Sequence, residues 1–162
     1  MAVLGAGGGT SSYEEIENTD LIILWGSNAR NAHPIFFLHL LKGIRNGAKM
    51  YAVDPRRSES AQWADVWLGI DVGSDIALAN GMAKVIIDEG LYDKDFIQRA
   101  TTGFDEYAET VAAYDLDRTS RITGIPPETI REIAVAYATA PTAQLCWTLG
   151  ITEHHTGTDN VL

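Results

Sequence analysis

Two short loops carry the side chains best suited to chemistry: Trp25-Gly26-Ser27-Asn28 and Asp54-Pro55-Arg56-Arg57, each directly after an apolar run. In the first, Gly26 allows a sharp turn and a close backbone approach to a ligand. Ser27 and Asn28 add side-chain donors beside the free N–H groups of a helix start, a combination suited to pyrophosphate. In the second, Asp54 stands at the end of a second strand, where an acid commonly holds a ribose hydroxyl. Arg56 and Arg57 follow, planar cations able to pair with phosphate or stack on a base. A third loop, Gly73-Ser74-Asp75, offers a carboxylate that could accept two parallel hydrogen bonds from the N1–H and N2 amino group of guanine and so reject adenine. Each loop also has a plainer reading: a strand-to-helix turn capped by Ser or Asn, a surface ion pair, or an acid at a positive helix end. Their recurrence after successive strands favours a nucleotide site, because in a parallel sheet such loops open on one edge.

The elements that must position these loops follow from hydrophobic pattern. Residues 21–24, Leu-Ile-Ile-Leu, form the continuous apolar run of a strand covered on both faces. Residues 33–45 carry Ile35, Leu38, Leu41 and Lys42 at helical spacing before Asn46-Gly47 ends the element. A strand over Lys49–Val53 repeats the order, with the Asp54 loop and a short helical turn through Ala61 behind it. A third strand over 64–70 leads through Gly73-Ser74-Asp75 into a helix over 76–89, whose apolar face is Ile76, Leu78, Ala79, Met82, Val85 and Ile86. Helices over 94–100, 104–113, 117–121 and 127–139 then read as scaffold, with Pro127 at a first helical position. A last strand over 143–148 runs into a loop from Leu149 to Gly157.

The pattern predicts an α/β fold: a Rossmann-like three-layer domain with a mainly parallel sheet, followed by a helical stretch and a terminal strand. Residues 1–140 form the nucleotide-binding domain on this reading, and residues 141–162 the first strand and loop of a following, truncated domain. In an excised piece that strand would be poorly ordered or borrowed by a neighbour, whereas a self-contained module would pack it into its own sheet. At the other end, residues 5–10, Gly-Ala-Gly-Gly-Gly-Thr, lack both a preceding strand and the third glycine of a dinucleotide fingerprint, and read as a connector. Ser12-Tyr13-Glu14-Glu15 has the form of a helix cap with acids in the first turn, opening a short helix to Asn18.

Composition narrows the partners. The 162 residues carry a formal charge of −10, which excludes a nucleic-acid backbone as ligand, since phosphate neutralisation needs a basic surface. No segment is long and apolar enough for membrane insertion, and Met1 to Gly5 lacks the basic and apolar regions of a secretory signal. The expectation is a cytoplasmic chain. A single cysteine, Cys146, leaves no internal disulfide or cysteine cluster and reads as a buried structural thiol. His33 and His39 lack metal-ligand spacing, and the neighbours His154 and His155 point in different directions on most backbones.

Over residues 12–162 these features resemble the catalytic subunit of molybdopterin oxidoreductases, most closely the formate dehydrogenase alpha subunit. The resemblance rests on Gly26-Ser27-Asn28 followed by His33-Pro34, and on Asn46-Gly47-Ala48-Lys49 leading to Asp54-Pro55-Arg56-Arg57 and Ala64-Asp65-Val66. It continues through Gly73 to Leu78, Glu89 to Asp93, Ile122-Thr123-Gly124, and Gly150-Ile151-Thr152 to His154. It implies a bis(molybdopterin guanine dinucleotide) cofactor with molybdenum or tungsten, and an iron–sulfur cluster in the parent enzyme outside this chain. Residue by residue, the family's first loop falls on Trp25, Gly26, Ser27, Asn28 and Asn31, and its second on Val53, Asp54, Pro55, Arg56 and Arg57. The third falls on Gly73, Ser74 and Asp75, and a late glycine loop on Leu149, Gly150 and Glu153, where many relatives have methionine for Leu149 and glutamine for Glu153. The family's metal ligand, cluster cysteines and catalytic histidine belong upstream of these motifs, so the chain by itself is expected to be inactive. The implied partners are the remainder of the same catalytic subunit and electron-transfer subunits, and the parent enzyme is free to be exported or membrane-associated.

Overall fold

The computed structural model describes Gly9 and residues 11–161; the rest of the glycine-rich tract and Leu162 lie outside the described residues. Four parallel strands make the sheet: β1 (Leu21–Trp25), β2 (Lys49–Val53), β3 (Val66–Leu68) and β4 (Ala143–Trp147), in the order β3-β2-β1-β4. Alternation across the pleat sends Ile22, Leu24 and Met50 to one side and Leu21, Ile23, Trp25, Tyr51 and Val53 to the other, building two cores. The first core is covered by α2 (Pro34–Arg45) with its Phe37 and Leu40, and by Ile16 of the 3-10 turn Glu15–Asn18. Ser12 and Glu15 exchange hydrogen bonds of capping-box form before that turn. The second core is covered by α3 (Asp75–Asp88), α6 (Leu116–Thr123) and α7 (Pro127–Thr139), through Leu78, Met82, Ile130 and Ile133. The result is the three-layer α/β arrangement that the alternating pattern predicts.

The peripheral helices α4 (Lys94–Ala100) and α5 (Phe104–Val111) complete the scaffold, the former capped by Asp93, whose carboxylate accepts from the Phe96 N–H. The predicted helix over 33–45 is α2, and a short α1 (Ala29–Ala32), not expected from the pattern, precedes it. Pro34 takes the first position of α2, and the non-helical backbone of His33 before it, φ −137° and ψ 64°, stops α1. The third strand is shorter than predicted at both ends: before it the Asp65 side chain, rather than ladder backbone, accepts the Met50 N–H at 2.7 Å, and after it the Ile70 N–H turns back to the Leu68 carbonyl. The predicted boundary near residue 140 falls in the turn between α7 and β4. β4 lies beside β1 in unbroken register from Leu21↔Ala143 to Trp25↔Trp147, and Asp20 clamps its start by accepting from both the N–H and hydroxyl of Thr142. Two short helices, α8 (Leu149–Thr152) and α9 (Gly157–Val161), stand where a loop was predicted; glycine and β-branched residues gave no helical signal there.

Candidate nucleotide site at the carboxyl edge of the sheet

Because every strand runs the same way, the loops after β1, β2, β3 and β4 emerge at one edge. The chain crosses from β1 to one side and returns to its other side only at β4, so the strand order reverses between β1 and β4. A ligand of an open parallel sheet commonly sits outside the strand ends at such a reversal. The last register row there is Leu68, Val53, Trp25 and Trp147. Val53 and Trp25 are buried, while Trp147 on the edge strand remains exposed.

Loop one starts at Gly26, whose φ of +57° is a left-handed conformation that suits glycine. Its N–H donates to the Val53 carbonyl at 2.8 Å. Its carbonyl accepts from the Gly150 N–H at 3.2 Å and the Thr148 hydroxyl at 2.8 Å. A side chain at Gly26 would meet the Gly150 backbone at 2.8 Å. The close approach anticipated at Gly26 is therefore made to another loop, and it ties the first and fourth loops together. Ser27 is buried, and Asn31 lies exposed on α1. Asn28 accepts from the N–H groups of Asn31 and Ala32 through its carbonyl, while its side-chain oxygen accepts from the Ser60 hydroxyl at 3.0 Å.

Loop two begins with an Asx turn: Asp54 Oδ1 accepts the Arg56 N–H at 2.8 Å. The Asp54 carbonyl accepts the Trp67 indole N–H, also at 2.8 Å. Pro55, Arg56 and Arg57 are exposed, and neither guanidinium forms an ion pair among the described residues. That contrasts with Arg30 on Glu59 and Arg131 on Glu89.

Loop three is held by the Asp71 carbonyl, which accepts both the N–H and the hydroxyl of Ser74. Gly73, φ +84°, is exposed, and Asp75 then opens α3 with only 8% of its surface exposed. The indole N–H of Trp25 donates to Asp75 Oδ1 at 2.7 Å, joining the first and third loops. Oδ2 has no partner among the described residues, yet it is not sealed off, since no buried side-chain polar atom is left orphaned there. Asp75 belongs to the wall of a largely apolar cavity of about 170 Å³, with Leu145, Trp147, Ile151 and Val161 among its other walls. In loop four, Leu149, Gly150 and Glu153 are exposed, and His154 Nε2 lies 2.9 Å from the Gly150 carbonyl. On the far face of β4, burial pushes the Cys146 thiol up to about 11, so it is held as an inert neutral group.

The structure thus brings Trp25 to Asp75 and Gly26 to Val53 and Gly150. It leaves Asn31, Arg56, Arg57 and Glu153 facing outward. Ser60, Thr148 and Trp147 escaped sequence reasoning. The available signal was the recurrence of tryptophan at the ends of both β1 and β4, which the parallel register places side by side.

The profile of the Molybdopterin oxidoreductase family matches residues 5–161. The chain belongs to the molybdopterin oxidoreductase family. It is 40% identical over 158 residues to Formate dehydrogenase H of Escherichia coli (strain K12), covering 98% of this chain and 22% of that protein. It is also 40% identical to the F420-dependent formate dehydrogenase 2 subunit alpha of Methanococcus maripaludis, over 97% of this chain and 23% of that protein. Among solved structures, Acetylene Hydratase from Pelobacter acetylenicus superposes with a TM-score of 0.78 at 33% identity, over 86% of this chain and 21% of that chain. The chain spans about a fifth of the length of these relatives. Membership of the family implies a molybdenum or tungsten pterin cofactor. Among the described residues no cluster of three or more His, Cys, Asp or Glu could hold a metal ion, and no helix is long and apolar enough to cross a membrane.

Proposed function

We propose that this chain is the part of a molybdopterin-dependent oxidoreductase, formate dehydrogenase-like, that holds the guanine dinucleotide portion of a bis(molybdopterin guanine dinucleotide) cofactor. The observation that carries the proposal is the set of polar groups at the carboxyl edge that have no partner among the described residues. Asp75, whose Oδ2 has no partner among the described residues, lines the apolar cavity, and the Arg56 and Arg57 guanidiniums, beside the Asp54 turn, form no ion pair among those residues. That donor and acceptor set fits a guanosine diphosphate group. Asp75 would accept from the base, Asp54 from a ribose hydroxyl, and the arginines and the amides near Ser27 and Asn28 would neutralise phosphate. Gly73, Ser74, Leu149, Gly150 and Glu153 complete the rim on this reading.

When bound, the cofactor supplies the two-electron chemistry at its metal, on formate or a related substrate. This chain supplies orientation, charge neutralisation and exclusion of water from the base. The metal ligand, the iron–sulfur cluster and the electron-transfer subunits belong to the parent enzyme, and the remainder of its catalytic subunit is the chain's direct partner. Asp75→Ala in the full catalytic subunit should lower the molybdenum cofactor content of the purified protein. Unchanged content argues against the assignment.

A second reading, a nucleotide-binding module with a different ligand, draws on β4. Its complete pairing with β1 is how a unit able to fold by itself would treat that strand. Relatives named for both formate oxidation and acetylene hydration show that the scaffold alone does not select a reaction.

A further inference from the structure

We infer that Trp25 is a positioning residue that aims the Asp75 carboxylate and thereby sets discrimination for guanine at this edge; the inference rests on the reading of Asp75 just given. An indole N–H is a donor only, and when buried it must end on an acceptor. Here it ends on Asp75 Oδ1 at 2.7 Å, with both residues less than a tenth exposed. The ring is immobilised as part of the core under β1, beside Val53 and Ile151. The backbone of Asp75 is fixed separately, by the Asp71–Ser74 turn and the start of α3.

One freedom remains. The terminal torsion of an aspartate is broad and roughly two-fold, so an untethered carboxylate would turn within the cavity wall. A hydrogen bond to one oxygen removes that freedom in the wall of the cavity of about 170 Å³ and leaves Oδ2, which has no partner among the described residues, to a ligand. Oδ1 retains a second lone-pair direction, so the carboxylate can still receive two parallel donors. Guanine presents such a pair, N1–H and the N2 amino group. Hypoxanthine keeps N1–H and lacks the amino group, so it leaves one acceptor position in a largely apolar cavity unpaired, the situation in which a site rejects an analogue most strongly.

The test is calorimetry of GDP and IDP binding to the cofactor-free catalytic subunit that carries this chain. The unsubstituted protein should prefer GDP. Trp25→Phe should reduce that preference about tenfold, the effect of misplacing one hydrogen bond to a charged group, while IDP affinity changes little. Trp25→His, which keeps a ring N–H, should retain more of the preference than Trp25→Phe. If Trp25 only staples β1 to α3, both variants lower GDP and IDP affinity together and the ratio stays constant, which overturns the inference. Asp75→Asn separates the two levels of argument. If it leaves the ratio unchanged, the reading of Asp75 fails. If it abolishes the preference while Trp25→Phe does not, the reading stands and only the role of Trp25 fails.

Discussion

The two edges of one sheet use their polar groups in opposite ways. At the amino edge of β2, Lys49 Nζ lies 2.8 Å from Glu132 Oε1 on α7, and the buried Tyr51 hydroxyl donates to the same oxygen at 2.9 Å. Lys49 also sits over the Tyr51 ring, and Asp20 and Thr142 close on each other between β1 and β4. These groups answer one another within the fold. At the carboxyl edge, Asp75 uses one oxygen for Trp25 and keeps the other open, and Arg56 and Arg57 have no carboxylate partner among the described residues. Satisfied polar networks hold a structure together, whereas groups left open at a strand-end reversal are available to a ligand.

The largest expected effect tests whether the carboxyl edge is itself rigid. Gly26→Ala puts a side chain on a left-handed backbone and against the Gly150 backbone, so it should cost about 3 kcal/mol of stability, read as a lowered midpoint in thermal or urea unfolding. Gly73→Ala shares the positive φ but meets nothing within 4 Å, and should cost roughly 1 kcal/mol. Equal effects would mean that the first and fourth loops are not packed together. Tyr51→Phe should remove about 1 kcal/mol by deleting one hydrogen bond at the amino edge, with GDP binding unchanged in the same preparation. A change in nucleotide affinity would erase the distinction between the edges. Arg56→Ala and Arg57→Ala should do the reverse, leaving stability within about 0.5 kcal/mol while weakening GDP binding in a salt-dependent way. The variant with the larger loss identifies the arginine that faces phosphate.

The smallest effect is electrostatic. The Lys49 ammonium, and after it the Tyr51 hydroxyl, hold the Glu132 carboxyl below its ordinary 4.5. A carboxyl depressed in the folded state contributes stability above its unfolded value and loses it as pH falls through the folded one. Unfolding midpoints of the unsubstituted protein and of Glu132→Gln should therefore converge below pH 4.5 and separate above it, by a small margin because the Glu132 side chain is half exposed.

Much of this was legible along the chain. Strand β2 and helices α4 and α7 occupy the predicted residues, because each carries a strong local signal: the apolar run after Lys49, the Asp93 cap, and Pro127 at the helix start. The loops after β1 and β2 were visible as glycine, asparagine and Asp-Pro turns, whose geometry is set by neighbours two or three residues away. Helices α8 and α9 were not visible, since their residues have weak intrinsic preference and depend on Ile151 entering the core.

Sequence alone determined the alternation of strand and helix, the three-layer class and the residue types gathered in each loop, because periodicity and turn chemistry are local properties. Only the tertiary structure decided that β4 lies beside β1, that Gly26 turns toward Gly150, and that Trp25 is the partner of Asp75. Those pairings join residues far apart in the chain. They arise from the strand order and the burial it enforces, so no local pattern of residues could have carried them.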